Sequence, residues 1–294
     1  MPFQLKQLHK TFFGEITGLD LGQPLDEATV AAVTAAIDRH GVLVFRDQNI
    51  GDGDQLRFSN YFGQTQRSIT VHREEQARRL GQEELSDISN LDEHGFRMDR
   101  TNPRRLYQLT TMLWHTDSSF RNPVGKYTFL CAKRLPAEGG NTEFADMCAA
   151  WDALPAERQR TLRDLQVRHS LAYSRGLVEG SPPLDETERR NLPPSVHPLV
   201  RVHPGSKRPA LYLASHAESV EGLSYEEGRK LIDELMAHAT RPEFVHAHVW
   251  RAGDLVMWDN RSTMHRAMPF DEDRYVRELR RTTVAESADV LQAA

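Results

Sequence analysis

The sequence has 294 residues and a formal net charge of -5 at pH 7, with basic and acidic residues mixed along its length. It lacks the basic stripe that binds a nucleic-acid backbone, which favours a small-molecule partner. With only two cysteines, Cys131 and Cys148, neither a disulfide framework nor a Cys-rich zinc site fits. No apolar run is long enough to cross a bilayer, and no signal-peptide core occurs near Met1. We therefore expect one cytoplasmic domain over residues 1–294.

The first predicted elements are two helices and a buried strand. Apolar residues at helical spacing over residues 25–40 stop before Gly41, and Val42–Phe45 follows as the strand. Residues 52–62 predict the second helix. Residues 64–104 are rich in charge and lack periodicity, so we expect a long, partly structured loop there, with a lid or binding element and simple disorder as the two open readings.

Strands dominate the remaining predicted elements. They cover residues 127–133, 142–147, 167–173, 199–203, 210–214, 245–250, 254–258 and 278–284. Helices are predicted at residues 155–165 and at Tyr225–Ala239, the latter capped by Ser224, and residues 180–198 form a surface excursion. Many short strands with flanking helices indicate a mainly β fold, a jelly roll or sandwich with a cavity between its sheets.

The segment WHTDSSF at residues 114–120 contains the strongest candidate site. In a strand, His115 and Asp117 point to the same face and could hold one cation. A third ligand would complete a 2-His-1-carboxylate triad, which leaves positions open on Fe(II). His265 is our candidate, but spacing does not separate it from other histidines in the strand-rich half, which are His203, His216, His246 and His248. A surface turn with a chance His-Asp pair is the open alternative.

Further motifs carry a resemblance to a known family. They are GGNTEFADM at 139–147, GDLVMWDNR at 253–261, MHR at 264–266 and RELRRTT at 277–283. With WHTDSSF, in this order, the chain resembles the Fe(II)/2-oxoglutarate-dependent TauD/TfdA dioxygenases from about residue 5 to 284. DISN at 87–90, WDALP at 151–155 and EGL at 221–223 resemble the aryloxyalkanoate branch of that family more than its taurine branch.

The resemblance implies a fold and a metal centre. The fold is a double-stranded β-helix, a cupin-like jelly roll, in which His115, Asp117 and His265 bind Fe(II). Family members commonly self-associate, so a homo-oligomer is also expected. No contact with nucleic acid or membrane is implied.

The resemblance also assigns the anion-binding residues. Thr142 and Arg281 match the pair that binds the distal carboxylate of the cosubstrate 2-oxoglutarate, and a hydroxyl with a guanidinium fork suits a carboxylate. Arg277, four residues before Arg281, matches the contact to the anionic group of the substrate. His203 and His216 match positions near the substrate, with a satisfied core histidine as the alternative for each.

The implied reaction consumes 2-oxoglutarate and O2 and yields succinate and CO2. Hydroxylation beside the ether oxygen of an aryloxyalkanoate then releases a phenol and a 2-oxo acid. The chain departs from the aryloxyalkanoate branch at Thr70-Val71-His72, where a lysine can lie near the substrate carboxylate. The alternatives are a taurine or alkylsulfonate dioxygenase that releases sulfite, a zinc hydrolase that needs neither cosubstrate nor O2, and a non-catalytic binding module.

Overall fold

The computed structural model describes residues 2–68 and 79–287. The helices of this part are α1 (Glu27–His40), α2 (Asp52–Asn60), α3 (Pro103–Gln108), α4 (Met147–Asp152), α5 (Ala156–Leu162), α6 (Leu171–Gly176), α7 (Glu186–Asn191) and α8 (Tyr225–Ala239). The strands are β1 (Gln4–Gln7), β2 (Gly14–Thr17), β3 (Val42–Phe45), β4 (Ser86–Ser89), β5 (Gly125–Arg134), β6 (Thr142–Asp146), β7 (Gln166–His169), β8 (Ser195–Pro198), β9 (Val200–Val202), β10 (Pro209–Leu211), β11 (Ala217–Val220), β12 (Val245–His248), β13 (Leu255–Asp259), β14 (Thr263–Ala267) and β15 (Glu278–Ala285).

A seven-stranded sheet forms the larger layer of the fold, in the order β1-β2-β3-β13-β5-β15-β4. The strands β12-β6-β14 form a three-stranded sheet, and β11-β7-β8 and β10-β9 form two smaller sheets. Every strand pair is antiparallel except β2 with β3, as far as the described residues show. The expectation of a mainly β fold with flanking helices is confirmed.

The larger sheet and the β6 sheet share a buried core. Val44, Val256 and Leu279 of the larger sheet belong to one cluster of buried apolar side chains with Phe144 of β6. Phe144 also packs edge-on against Trp258, with ring centroids 5.5 Å apart. Burial of this apolar surface holds the two sheets together, so residues on their inner faces lie close to one another.

Helices α1 and α2 cover the outer face of the larger sheet. Ile37 of α1 and Phe58 of α2 pack in one buried cluster with Phe129 of β5. Helix α1 begins where the Asp26 side chain accepts the Thr29 backbone N–H at 2.7 Å, and it ends at Gly41 with a φ of 65°. Both ends agree with the predicted helix over residues 25–40.

The structure corrects two predicted elements and adds strands that were not predicted, among them β14. The strand expected over 167–173 ends at His169, because the Ser170 side chain accepts the Tyr173 backbone N–H and begins helix α6. Residues 180–198 include helix α7 and strand β8, and Leu184 and Leu192 are buried. Strand β14 was not predicted, since its residues do not alternate between apolar and polar.

The described part of residues 64–104 contains strand β4 of the larger sheet and the start of helix α3 as well as loop. Strand β4 pairs with β15 at the sheet edge, with Ser86 opposite Arg281. The departure at Thr70-Val71-His72 lies outside the described residues. None of the described helices is long and apolar enough to span a membrane.

Candidate metal centre and anion sites

A single β-bridge brings the two predicted histidine ligands together. The His115 backbone N–H donates to the His265 carbonyl at 2.9 Å, and the His265 N–H donates to the His115 carbonyl at 2.8 Å. Their ring centroids lie 4.2 Å apart. The strand expected before Asp117 is limited to this bridge, and the chain then turns at Ser118, whose φ is 60°. His265 is thus the histidine that lies beside the His-x-Asp pair.

The three predicted metal ligands converge in a buried position. Asp117 Oδ1 lies 4.0 Å from His115 Nε2, and Asp117 Oδ2 lies 3.7 Å from His265 Nε2. One ligand atom from each residue falls within 4.8 Å of the others. Oδ2 of Asp117 is buried and has no hydrogen-bond partner among the described residues. A buried carboxylate oxygen without a donor, facing two imidazole nitrogens, fits a divalent metal ion.

Protonation states at this centre also suit a metal. Burial lowers the pKa of His115 and, more strongly, that of His265, so both rings are neutral near pH 7. His115 Nδ1 lies 2.7 Å from the Leu113 carbonyl; as the donor there, it leaves Nε2 free to bind. Burial opposes ionisation of Asp117, but Arg281 and the two histidines hold its pKa well below the usual range. The set therefore offers two neutral nitrogens and one carboxylate.

Asn260 anchors the loop that carries the carboxylate ligand. Its Oδ1 accepts the Asp117 backbone N–H at 3.0 Å, and its carbonyl accepts the Thr116 hydroxyl at 2.7 Å. Its Nδ2 donates to the Thr128 hydroxyl at 2.9 Å. Asn260 lies within the GDLVMWDNR motif, but the sequence alone assigns it no role. Such outer contacts fix the direction in which a metal ligand points.

The two predicted arginines have different neighbours, and a register shift between Glu278 and Leu279 of β15 lies between them in the chain. Arg281 donates from Nη1 to Asp117 Oδ1 at 2.9 Å. Arg277 donates from Nε to the Gly140 carbonyl at 3.0 Å, and its backbone N–H donates to Asn90 Oδ1. Gly140 lies two residues before Thr142. The contacts therefore bring Arg277, rather than Arg281, to the start of strand β6.

Arg277 is a buried cation without an acidic partner. No carboxylate of the described residues lies within 4.0 Å of its guanidinium, and burial lowers its pKa to about 10. The charge of Glu272 acts on Arg277 from a distance, but Glu272 forms its ion pair with Arg105, at 2.8 Å. Thr142 is also buried, and its hydroxyl accepts the Trp250 indole N–H at 3.1 Å. A buried guanidinium in this state fits an anionic ligand.

His216 lies beside the centre. Its ring meets His115 edge-on at 6.2 Å, and its Nδ1 lies 2.7 Å from the Ser174 hydroxyl. Burial and the neighbouring His115 lower its pKa to about 3.

His203 lies in a different buried network. Its Nε2 is 2.8 Å from Asp259 Oδ2, and its Nδ1 accepts the Ser206 backbone N–H at 3.0 Å. Both ring nitrogens are therefore engaged, which makes His203 a satisfied core histidine rather than a neighbour of the metal ligands.

Comparison with known proteins gives the class to which this site belongs. A family model described as "Taurine catabolism dioxygenase TauD, TfdA family" matches residues 4–283. The alpha-ketoglutarate-dependent 2,4-dichlorophenoxyacetate dioxygenase of Cupriavidus pinatubonensis is 40% identical over 283 residues, which cover 96% of this chain and 98% of that protein. The (S)-phenoxypropionate/alpha-ketoglutarate-dioxygenase of Delftia acidovorans is 33% identical over 278 residues, covering 91% of this chain and 90% of that protein.

A solved structure agrees with these relatives. The crystal structure of AAD-2 in complex with Mn(II) and N-oxalylglycine matches with a TM-score of 0.92 and 42% identity, covering 98% of this chain and 99% of that chain. N-oxalylglycine differs from 2-oxoglutarate by an NH group in place of one CH2 group. The chain belongs to the TauD/TfdA dioxygenase family. It is accordingly an Fe(II)- and 2-oxoglutarate-dependent dioxygenase.

Proposed function

We propose that the protein oxidises an aryloxyalkanoate and cleaves its ether bond. The products are a phenol and a 2-oxo acid from the substrate, and succinate and CO2 from 2-oxoglutarate. The similar proteins that act on 2,4-dichlorophenoxyacetate and (S)-phenoxypropionate support this substrate class. The observation that carries the proposal is the unpartnered carboxylate oxygen of Asp117 between two neutral histidines.

His115, Asp117 and His265 would hold Fe(II). When bound, the iron activates O2 at the expense of 2-oxoglutarate and thereby supplies the oxidising chemistry. The protein contributes geometry: the bridge fixes the two histidines relative to each other, and Asn260 fixes the loop of Asp117. Arg281 engages Oδ1 of Asp117, so Oδ2 is left for the metal.

The contacts favour Thr142 with Arg277 as the site for the distal carboxylate of 2-oxoglutarate. Arg277 reaches Gly140, two residues from Thr142, and lacks an acidic partner among the described residues. Arg281 already pairs with Asp117. This distribution exchanges the roles that the resemblance gave to the two arginines, because four-residue spacing specifies a shared face but not the neighbours on it.

Arg281 and His216 then remain as candidates for the substrate side of the metal. Both adjoin a metal ligand: Arg281 contacts Asp117, and His216 meets the His115 ring. An anionic substrate group beside Arg281 would lie close to the iron, as oxidation next to a carboxylate requires. His203, which is engaged with Asp259, is not part of this proposal.

We further infer that the two facing sheets are those of the expected double-stranded β-helix. Strand β13 pairs with β3 and β5, which are distant from it in sequence, and the core between the sheets contains Phe144 and Val256. This supports one domain with a core over about residues 5–284. The cytoplasmic location and the homo-oligomer stay predictions.

An anaerobic titration followed by product analysis tests the proposal. We expect Fe(II) and 2-oxoglutarate to bind together. On admission of O2, an aryloxyacetic acid should yield phenol, glyoxylate and one equivalent of succinate. Sulfite from taurine or an alkylsulfonate, without phenol from the acid, would instead favour the sulfonate alternative. Turnover without 2-oxoglutarate, or full activity with a strong iron chelator, would contradict the dioxygenase chemistry and favour a hydrolase.

A further inference from the structure

Arg121 lies four residues after the metal ligand Asp117 and is turned back towards it. Ser118 adopts a left-handed backbone conformation with a φ of 60°, and the Arg121 backbone N–H donates to the Ser118 carbonyl at 3.0 Å. This turn closes the segment directly after Asp117. The backbone of Arg121 is therefore held within one turn of Asp117, and its side chain lines a cavity together with Arg281.

The guanidinium of Arg121 has no acidic partner in the described part of the chain. Its Nη1 donates to the Arg67 carbonyl at 3.0 Å, whereas its Nε is buried without any hydrogen bond. Burial lowers the pKa of Arg121, and the nearby positive charge of Arg281 lowers it further. A largely desolvated cation beside a second cation is unfavourable unless an anion joins them.

Arg121 and Arg281 line one cavity next to the metal ligands. Three serines of the same chain also line this cavity, Ser118 and, across from it, Ser68 and Ser86. Arg281 uses Nη1 for Asp117, and its Nε is buried without a partner among the described residues. The Ser86 hydroxyl donates to Ser68 at 2.8 Å, so the donors that the cavity offers to a carboxylate are the unused guanidinium N–H groups.

Glu84 also lines this cavity and limits where an anion fits. A carboxylate ligand must bind on the side of the two arginines, away from Glu84. That side adjoins Asp117, because Arg281 contacts it directly. A ligand held there is next to the iron ligands rather than at the mouth of the cavity.

We propose that Arg121 is a specificity-determining residue that binds the carboxylate of the substrate together with Arg281. This inference rests on the proposed function and adds a residue to it. It also explains how the chain could recognise an acid without a lysine at Thr70-Val71-His72. Arg121 presents a planar fork, so the charge alone, on a lysine, would replace it only in part.

The test compares an aryloxyacetic acid with its neutral primary amide in the Fe(II)-loaded enzyme. For Arg121→Gln we expect KM for the acid to rise about 10- to 100-fold, as for loss of a charge-assisted hydrogen bond. KM for the amide and KM for 2-oxoglutarate should stay within about threefold of wild type. Arg121→Lys should fall between wild type and Arg121→Gln, since it keeps the charge.

Arg67→Gln is the matched control. It also removes one positive charge at the mouth of the cavity, but this arginine is exposed and bonded to Glu83. KM for the acid should change less than threefold there, which separates direct binding from general electrostatic attraction.

Several outcomes would overturn the role of Arg121. They are an unchanged KM for the acid, an equal loss for acid and amide, or a rise confined to 2-oxoglutarate. If Arg121→Gln does not fold, Arg121→Lys decides by the same comparison. Failure of the proposed function is distinguishable, because wild type would then show no 2-oxoglutarate binding in the presence of metal.

Discussion

Two groups of imidazole and carboxylate side chains in this protein have similar spacing and differ in chemistry. One is the triad His115, Asp117 and His265; the other is the Asp38, His203 and Asp259 cluster. In each, one ligand atom per residue lies within 4.8 Å of the others. The residue types and distances alone would allow a metal ion in either group.

The Asp259 cluster already contains its cation. Arg261 donates from Nε to Asp259 Oδ1 at 2.9 Å and from Nη2 to Oδ2 at 2.6 Å, so both carboxylate oxygens are taken. His203 also contacts Oδ2, at 2.8 Å. In the triad, Arg281 engages only Oδ1 of Asp117. The two clusters therefore differ in one respect: the Asp117 carboxylate keeps a buried oxygen that the described residues leave unsatisfied, whereas both oxygens of Asp259 are bonded.

The largest expected difference is between Asp117 and Asp259. Replacing Asp117 by Ala should abolish turnover and tight Mn(II) binding while leaving the fold intact, because it removes the anionic ligand between the two histidines. His115→Ala and His265→Ala should also abolish turnover. Asp259→Asn should keep Mn(II) affinity within about threefold of wild type. Calorimetry measures the Mn(II) affinity of Asp117→Ala and of Asp259→Asn. An equal loss of affinity in the two variants would contradict the distinction between the two clusters.

The free energy of unfolding, in contrast to metal affinity, should depend more on the Asp259 cluster than on the triad. Arg261→Ala leaves Asp259 buried without its cation, so we expect the free energy of unfolding to fall by about 3–5 kcal/mol. Arg281→Ala removes a cation from Asp117, but a metal ion can take its place there. Mn(II) should stabilise both variants, but the deficit relative to wild type should shrink with Mn(II) in Arg281→Ala and stay unchanged in Arg261→Ala, as denaturant unfolding with and without the metal would show. An equal change of the deficit in the two variants would contradict the comparison.

The same contrast applies to Arg277, which lacks the acidic partner that Arg261 has. Arg277→Gln should raise KM for 2-oxoglutarate by about 10- to 100-fold, since it removes a charge-assisted contact. Arg281→Gln should raise it less and should chiefly affect the aryloxyalkanoate. Steady-state kinetics with each compound varied in turn separates the two. The reverse pattern would restore the roles that the resemblance first gave to these arginines.

The sequence could propose His115 and Asp117 as metal ligands because His-x-Asp is a local motif, whereas the resemblance was needed to single out His265. The His-x-Asp pair and MHR each lie within a few residues, and helix α1 and strand β3 follow from apolar spacing and from Gly41. These features depend on neighbours in the chain. They need no knowledge of how the sheets pack.

The neighbours of the other candidate residues depend on tertiary packing and could not be predicted from the sequence. His203 and His216 both lie beside short strands, yet one is bonded to Asp259 and the other meets His115. Alternation placed Arg277 and Arg281 on one face but could not say that Gly140 and Asp117 would be their respective neighbours. Contacts between residues 56 to 164 positions apart leave no such signal in one sequence.

Lowering the pH should also distinguish the two clusters, with a smaller effect on the free energy of unfolding. The folded pKa of His216, which meets the His115 ring, is about 3, and an unfolded histidine has a pKa of about 6.5. The unfolded chain therefore binds more protons between these values, so stability is complete above about pH 6.5 and falls as the pH falls. In the Asp259 cluster, burial opposes ionisation, but Arg261 and His203 hold the pKa of Asp259 well below its usual range. Its contribution is present above about pH 3.9 and is lost only in stronger acid.

Unfolding free energies measured in a chelator at pH 6.5 and 5 test this difference. Between pH 6.5 and 5, the free energy of unfolding of His216→Gln should fall by about 1–2 kcal/mol less than that of wild type. The variant lacks one group that stays neutral in the folded chain and is protonated in the unfolded chain. Asp259→Asn should be less stable than wild type at both pH values, but its stability should change with pH as in wild type. The reason is that the wild-type Asp259 carboxyl is largely ionised in both the folded and the unfolded chain at these pH values. An unchanged slope in His216→Gln would mean that this ring takes up a proton while folded. The metal ligand His115 would then have a charged neighbour at mildly acidic pH, and the triad would not be the neutral donor set that distinguishes it from the Asp259 cluster.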